Sequence, residues 1–358
     1  MKRIRPKFQA LFWLLILSPV SLLFSAQSQN PVSGDGYSND RLTPVERAME
    51  AEYPNLIGTA AAWMQQQSSP RLNSLALIPD LFQYTIEPDS WQLEAETDAG
   101  RAFIAQVAAI LQAELIDEPS LFFLGVACEQ RKMMDACRAA GLDSAIEHMH
   151  GGNIALLGLL ASGNDDVLWQ QIIHEGEHFY TYYREAIDGW QQALFATRAE
   201  NQGLFSEADL ASIAGIRGIN AGFFAANLSP LMNHCVLAAT AAASDLLVHC
   251  QRIAKNLRDS HSDLMTQIIG FSLSEQLAEA QGLFEAERLA EQNQASSDYY
   301  MCLHRFMPEY YGDAIYMRKW LNWIIKYGEL EATERMAAEL GVDCGQKPDF
   351  SSEHSLIE

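Results

Sequence analysis

The stretch Asn164–Phe195, NDDVLWQQIIHEGEHFYTYYREAIDGWQQALF, has the longest regular apolar period in the chain. On a helical wheel at about 100° per residue, its large apolar side chains share one broad stripe. The stripe contains Leu168, Trp169, Ile172, Phe179, Tyr183, Ile187, Trp190 and Leu194. Asn164 and the two aspartates after it supply a helix cap, and Gly176 lies within the stripe, where a second helix could approach closely. The stretch therefore predicts one long helix that is buried on one side.

The same stretch contains the only recognisable chemical motif, His174-Glu175-Gly176-Glu177-His178, which is an HExxH. Two histidines four residues apart on a helix can ligate one zinc ion, and the glutamate between them can act as a general base. Under this interpretation His174 and His178 are metal ligands and Glu175 is catalytic. The third ligand is unknown, and Glu185 and Glu200 are candidates without a supporting motif.

The helical wheel points to a different role for these histidines. His174 and His178 fall opposite the apolar stripe, whereas a catalytic zinc helix needs its histidines to face a cleft. We therefore interpret the motif as part of a solvated polar face and expect no cofactor. Zinc, bound in a hydrolase or at a non-catalytic surface site, is the alternative.

Residues 1–28 have the pattern of a secretory signal peptide. Four basic residues precede the apolar run Ala10–Phe24, and the small residues Ala26 and Ser28 come just before the expected cleavage site at Gln29. This predicts a mature protein in the bacterial periplasm or outside the cell. A retained anchor in the inner membrane is the alternative. Residues 29–40, rich in Ser, Asn, Gly and Pro, are expected to form a disordered leader.

The chain is strongly acidic, with a formal net charge of −22. Cleavage after Ser28 would remove four positive charges and take this value to −26. Such a chain repels nucleic acid and anionic lipid head groups. We therefore expect no nucleic-acid partner and, after signal cleavage, no integral membrane association.

All six cysteines lie beyond the predicted signal peptide, and an even number in an oxidising compartment indicates disulfides. Proximity along the chain suggests the pairs Cys128–Cys137, Cys235–Cys250 and Cys302–Cys344, although other connectivities are open. On one straight helix, residues nine apart lie on opposite faces, about 13 Å apart along the axis. If Cys128 and Cys137 are paired, the chain must turn between 132 and 135.

The remaining sequence reads as helices of ten to thirty residues joined by short connectors, with no alternating strand pattern. This predicts an all-α fold of antiparallel helix pairs, stapled by disulfides. Since no linker divides the chain, residues 41–344 are expected to form a single domain, followed by a polar tail at 345–358.

The segment Cys128–Ala161, CEQRKMMDACRAAGLDSAIEHMHGGNIALLGLLA, resembles a tetratricopeptide-type unit. An Ala/Leu-rich helix ends in Gly-Gly-Asn, where such repeats commonly carry Asp-Pro-Asn, and an aliphatic helix follows. The segment is also similar to cysteine-containing helical-repeat proteins of bacterial envelopes, and the likeness is best over 119–196. The resemblance implies a solenoid-type array of helix pairs that binds other proteins or peptides.

Together these features favour an exported helical protein that acts as a protein-binding, peptide-binding or scaffold module. The alternative is a zinc-dependent hydrolase, a peptidase, that uses the HExxH at 174–178. The two interpretations differ in what they require of Glu175, which is dispensable in the first and essential in the second. Neither fixes the oligomeric state.

Overall fold

The chain folds into packed helices, as a computed structural model shows for residues 44–79, 92–161, 166–201, 204–223, 228–241, 245–259, 264–283, 285–304 and 314–345. Within these ranges there are sixteen α-helices and no β-strand, so the predicted all-α class is confirmed. The predicted signal peptide, the disordered leader and nearly all of the polar tail lie outside the described residues.

The helices are numbered here in chain order. The first half contains α1 (Pro44–Gln65), α2 (Pro70–Ala76), α3 (Asp98–Leu111), α4 (Glu118–Gln130), α5 (Met134–Ala139), α6 (Leu142–Met149), α7 (Ile154–Gly158) and α8 (Asp166–Glu175). The second half contains α9 (Tyr183–Ala196), α10 (Glu207–Phe223), α11 (Ser229–Thr240), α12 (Asp245–Arg258), α13 (Leu264–Gln281), α14 (Glu285–His304), α15 (Ala314–Tyr327) and α16 (Glu329–Glu339).

Several helices begin where the sequence provides a capping side chain. Ser69, Thr97 and Asp117 each accept a hydrogen bond from a backbone N–H in the first turn of the helix that follows. Pro70 and Pro119 occupy first-turn positions, where the missing N–H costs no hydrogen bond. These local signals fix where α2, α3 and α4 start.

Consecutive helices pack against each other, most extensively α9 with α10, α12 with α13, α13 with α14, and α15 with α16. Contacts also join helices that are far apart in sequence; for example, α1 packs against α9, and α10 packs against α15. In a solenoid, each repeat contacts only its neighbours. The disulfide-stapled helical fold is therefore observed, whereas its solenoid-type arrangement is not confirmed.

One close contact between two helices is made at a glycine. A Cβ placed on Gly218 of α10 would lie 2.5 Å from the backbone nitrogen of Ile187 in α9. Ile187 is fully buried and belongs to an apolar cluster shared with α15 and α16 that includes Trp320 and Leu321. The glycine thus allows two helix backbones to approach each other in the interior.

The three disulfides connect the cysteines that are nearest in sequence, as predicted, and the described residues include no free cysteine. Cys128 lies in α4 and Cys137 in α5, and the turn that their pairing requires is present, since α4 ends at Gln130 and Lys132 has a φ of 57°. The second bridge staples α11 to α12, and the third ties α14 to the segment after α16.

The prediction of one continuous helix over Asn164–Phe195 is wrong. Helix α8 ends at Glu175, residues 176–182 are not helical, and α9 begins at Tyr183. The break falls where Gly176 is followed by the aromatic and β-branched run Phe179–Tyr183, which has low helix propensity and high strand propensity. No helix in the described part of the chain has both the length and the apolarity needed to cross a membrane.

Candidate functional site

The HExxH motif lies across the break between α8 and α9. His174 and Glu175 form the last turn of α8, whereas His178 lies in the non-helical segment and makes a parallel β-bridge with Asn153. The two histidines therefore do not stand one helical turn apart on a common helix face, as the zinc motif requires. Both side chains are exposed, which agrees with the expected solvated face although the predicted helix is absent.

Residues 176–182 are here called the linking segment. They are held by residues 151–154, the turn that leads into α7, which we call the corner. The backbone N–H of Glu177 donates to the carbonyl oxygen of Gly152 at 2.8 Å, and the N–H of Ile154 donates to the carbonyl oxygen of His178 at 2.8 Å. Gly176 is buried, and a Cβ there would lie 2.6 Å from a side-chain carbon of Ile154. The close approach expected at Gly176 is thus observed, but with the corner before α7 and not along a continuous helix.

Asn153 is the central polar residue of this corner and is fully buried. Its side-chain oxygen accepts from the N–H of Ala155 at 3.1 Å, as an N-cap of α7, and from the N–H of Tyr180 at 3.0 Å. Its side-chain nitrogen donates to the carbonyl oxygen of Tyr180 at 2.8 Å. One amide therefore starts a helix and pairs with both backbone groups of Tyr180 in the linking segment.

The other side of the linking segment is covered by polar side chains of α12. Arg252 donates to the carbonyl oxygens of His174 and Gly176 at 3.0 and 3.1 Å, and Asn256 donates to that of Glu177 at 2.6 Å. These donors satisfy carbonyl groups at the end of α8. The end of α8 and the start of the linking segment are thereby fixed between α7 and α12.

A network of tyrosines and carboxylates closes the C-terminal end of the linking segment. Tyr182 has a left-handed φ of 52°, unusual for a residue with a Cβ, and its hydroxyl donates to the carboxylate of Glu118. The hydroxyl of Tyr180 donates to Glu185 at 3.1 Å and accepts from Arg184 at 2.9 Å. Burial, with the nearby charge of Glu185, raises the pKa of Tyr180 to about 12, so this hydroxyl stays protonated.

His174 makes its closest aromatic contact with a histidine of another helix. Its ring centroid lies 4.4 Å from that of His249 in α12, with the ring planes at 70°. Burial, together with the nearby His174 and Arg252, lowers the pKa of His249. His174 therefore pairs with His249, and not with His178 as the HExxH motif predicts.

The other candidate residues are engaged separately. Glu175 accepts from Gln171 at 2.9 Å and lies 3.7 Å from the imidazole of His150. Glu185 is bound to Tyr180, and Glu200 lies exposed in a short 3-10 helix that begins at Arg198. Within the described residues, no three His, Cys, Asp or Glu side chains form a group that could hold a metal ion. The residues therefore do not fit the three-ligand zinc site of a peptidase.

A second surface with a regular pattern is the outer side of α14. Glu287, Glu291, Gln294, Asp298 and Met301 recur at helical spacing and are all exposed. The opposite side of the helix buries Leu289, Ser296 and Leu303. We call the exposed row the α14 face; it carries three carboxylates and ends in a methionine that is 51% exposed.

Sequence reasoning missed the residues that organise the corner. Asn153 was noted only within the Gly-Gly-Asn of the repeat-like segment, and Glu118, Tyr182, His249 and Arg252 carried no motif. The one available signal was the Gly-Gly-Asn at 151–153, because consecutive glycines followed by a capping residue indicate a tight turn before a helix. Comparison of the chain with protein-family models, curated proteins and solved structures gives no match.

Proposed function

We propose that the chain is an exported, disulfide-stabilised helical protein that binds a protein or peptide partner through the α14 face. The observation that carries the proposal is this row of three carboxylates and one exposed methionine on a helix whose other side is buried. A partner with complementary chemistry has lysine or arginine residues around an apolar contact. Charge complementarity of this kind speeds association and selects the partner.

The disulfides support the proposed location. All six cysteines of the chain are paired, and such complete pairing is common in oxidising compartments and rare in the cytosol. The expected signal peptide at residues 1–28 would deliver the chain to the bacterial periplasm or beyond. The third bridge also ties α14, which carries the α14 face, to the segment after α16.

The proposal is tested by site-specific photo-crosslinking in the compartment where the protein acts. A benzophenone side chain replaces Met301, and a matched chain carries it at Leu115, which is 78% exposed and lies between α3 and α4. We expect a defined adduct from position 301 only, identified by mass spectrometry. The absence of an adduct at 301, or the same adduct from both positions, contradicts a partner at the α14 face.

Charge reversal provides the second arm of the test. The triple variant Glu287→Lys/Glu291→Lys/Asp298→Lys should abolish the adduct formed at Met301. The control variant makes an equal change in charge on the exposed residues around α3: Glu94→Lys/Glu96→Lys/Glu114→Lys. The control should retain the adduct. Loss of the adduct in both variants would show that total charge, and not the α14 face, attracts the partner.

The zinc-dependent hydrolase remains an alternative with its own direct test. Glu175→Gln would remove the general base of such an enzyme and leave a binding module intact. The structure favours a binding module, in which Glu175→Gln has no effect. Glu175 ends α8 and lies 3.7 Å from His150, and His178 belongs to the linking segment. Peptide hydrolysis by the purified chain that is lost in Glu175→Gln would overturn the binding proposal.

A further inference from the structure

We propose that His174 and His249 together bind one divalent transition-metal ion, with water completing its coordination. Imidazole nitrogen is a preferred ligand of Cu²⁺, Ni²⁺ and Zn²⁺, and affinity at such sites rises toward Cu²⁺. The proposed site uses one ring from α8 and one from α12. It is independent of partner binding at the α14 face and of the HExxH spacing.

The backbone on both sides of the pair is fixed. His249 precedes Cys250, whose disulfide to Cys235 staples α12 to α11. His174 ends α8, and its carbonyl oxygen accepts from Arg252, one helical turn after His249. Because the two helix segments are tied at these points, the distance between the backbones that carry the two rings is set by the fold.

The separation of the rings suits a shared ion. A metal bound to one nitrogen of each ring at about 2.0–2.1 Å would hold the two ring centroids about 4.5 to 5 Å apart. The observed centroid distance is 4.4 Å. The ring planes meet at 70°, and χ2 is a soft torsion in histidine, so the rings can reorient about χ2 to bind a shared ion.

His249 has a ligand atom that is unused by the protein. Its Nδ1 is buried, and no hydrogen-bonding partner for it occurs among the described residues. A buried polar atom without a partner is destabilising, and coordination of a cation would remove that cost. His174 is exposed, so an ion and its water ligands can enter from the His174 side.

Charges around the pair act in both directions. Arg252 repels a bound cation, whereas Asp245, one turn before His249 on α12, attracts it. With two protein ligands and these opposing charges, the site is suited to an exchangeable ion. This fits the finding that no three potential ligands of the described residues come together.

The experiment titrates the tag-free full chain with Cu²⁺. Isothermal titration calorimetry gives the affinity and stoichiometry, and electron paramagnetic resonance counts the coordinated nitrogens. We compare the wild type with His174→Gln, His249→Gln and the control His178→Gln. Far-UV circular dichroism confirms that each variant is folded; exposed His174 offers a test even if His249→Gln is unstable.

We expect one Cu²⁺ per chain with two imidazole nitrogens, retained in His178→Gln. Loss of either His174 or His249 should weaken binding by more than the roughly 10- to 100-fold that an outer-shell substitution costs. Loss of binding in His178→Gln with retention in His249→Gln would assign the metal to the HExxH and overturn the proposal. It is equally overturned if the wild type binds no Cu²⁺ or if no variant changes the affinity.

Discussion

Gly218→Ala should destabilise the protein, although alanine is the better helix former. The new Cβ would lie 2.4 Å from a side-chain carbon of Ile187 and 2.5 and 2.7 Å from its backbone nitrogen and Cα. Ordinary contacts between non-bonded carbon atoms are about 3.5–4.0 Å. Because two of the three atoms belong to the backbone of α9, no rotamer change relieves the overlap, and the two helices must separate by about 1 Å.

The expected magnitude follows from two opposing contributions. Alanine gains about 0.5–1 kcal/mol over glycine within a helix. Overpacking of an interior typically costs about 1–3 kcal/mol, and more where the structure cannot give way. The contact between α9 and α10 is the most extensive in the fold and joins the main core to the cluster around Trp320. We therefore expect the free energy of unfolding to fall by about 1–3 kcal/mol in Gly218→Ala.

Gly58→Ala is the matched control. Gly58 lies in α1, is exposed, and a Cβ there would have no neighbour within 4 Å. This variant should gain about 0.5–1 kcal/mol from helix propensity alone. Urea unfolding with the disulfides intact, followed by far-UV circular dichroism, measures both changes. A stabilised Gly218→Ala would refute the close approach of α9 and α10.

Two further predictions concern the corner around the linking segment. Asn153→Ala should lower the free energy of unfolding by about 2–4 kcal/mol, because it leaves both backbone groups of Tyr180 without their partner. Hydrogen exchange at the Tyr180 amide should accelerate. An unchanged exchange rate contradicts the role of Asn153 in holding Tyr180. Asp117→Asn tests the cap of α4: burial raises the pKa of Asp117, but hydrogen bonds from Ser120 and Arg71 outweigh it and lower the pKa below 3.8. A depressed carboxyl pKa stabilises the fold at higher pH, so the wild type should lose its advantage over Asp117→Asn as pH falls through and below 3.8; parallel stability curves for the two proteins would contradict the shift.

The parts of the fold that local chemistry specifies could be predicted from the sequence. The absence of strand patterns gave the all-α class, and proximity in the chain gave the three disulfides. The turn between α4 and α5 followed from the suggested pairing, because a straight helix cannot bring Cys128 and Cys137 together.

The break between α8 and α9 could not be predicted, since its stabilising groups come from other parts of the chain. Asn153, Arg252 and Asn256 provide the hydrogen bonds that a continuous helix would have made within itself. None of them is near the linking segment in sequence. The local conflict was visible, however: the apolar period favoured a helix, whereas Gly176 and the aromatic run after it disfavoured one.

The apolar period of the stretch is present although the helix is broken. The period reflects the burial of its side chains and not one continuous helix. Tyr182 and Tyr183 are adjacent and both buried, one on each side of the start of α9. The exposure of His174 and His178 was consequently predicted correctly from a helix that is absent. On a continuous helix, the HExxH motif would place His174 beside His178. In the fold, the ring of His174 contacts the ring of His249 instead. The copper titration separates these two pairings, and with them the two interpretations of the central stretch.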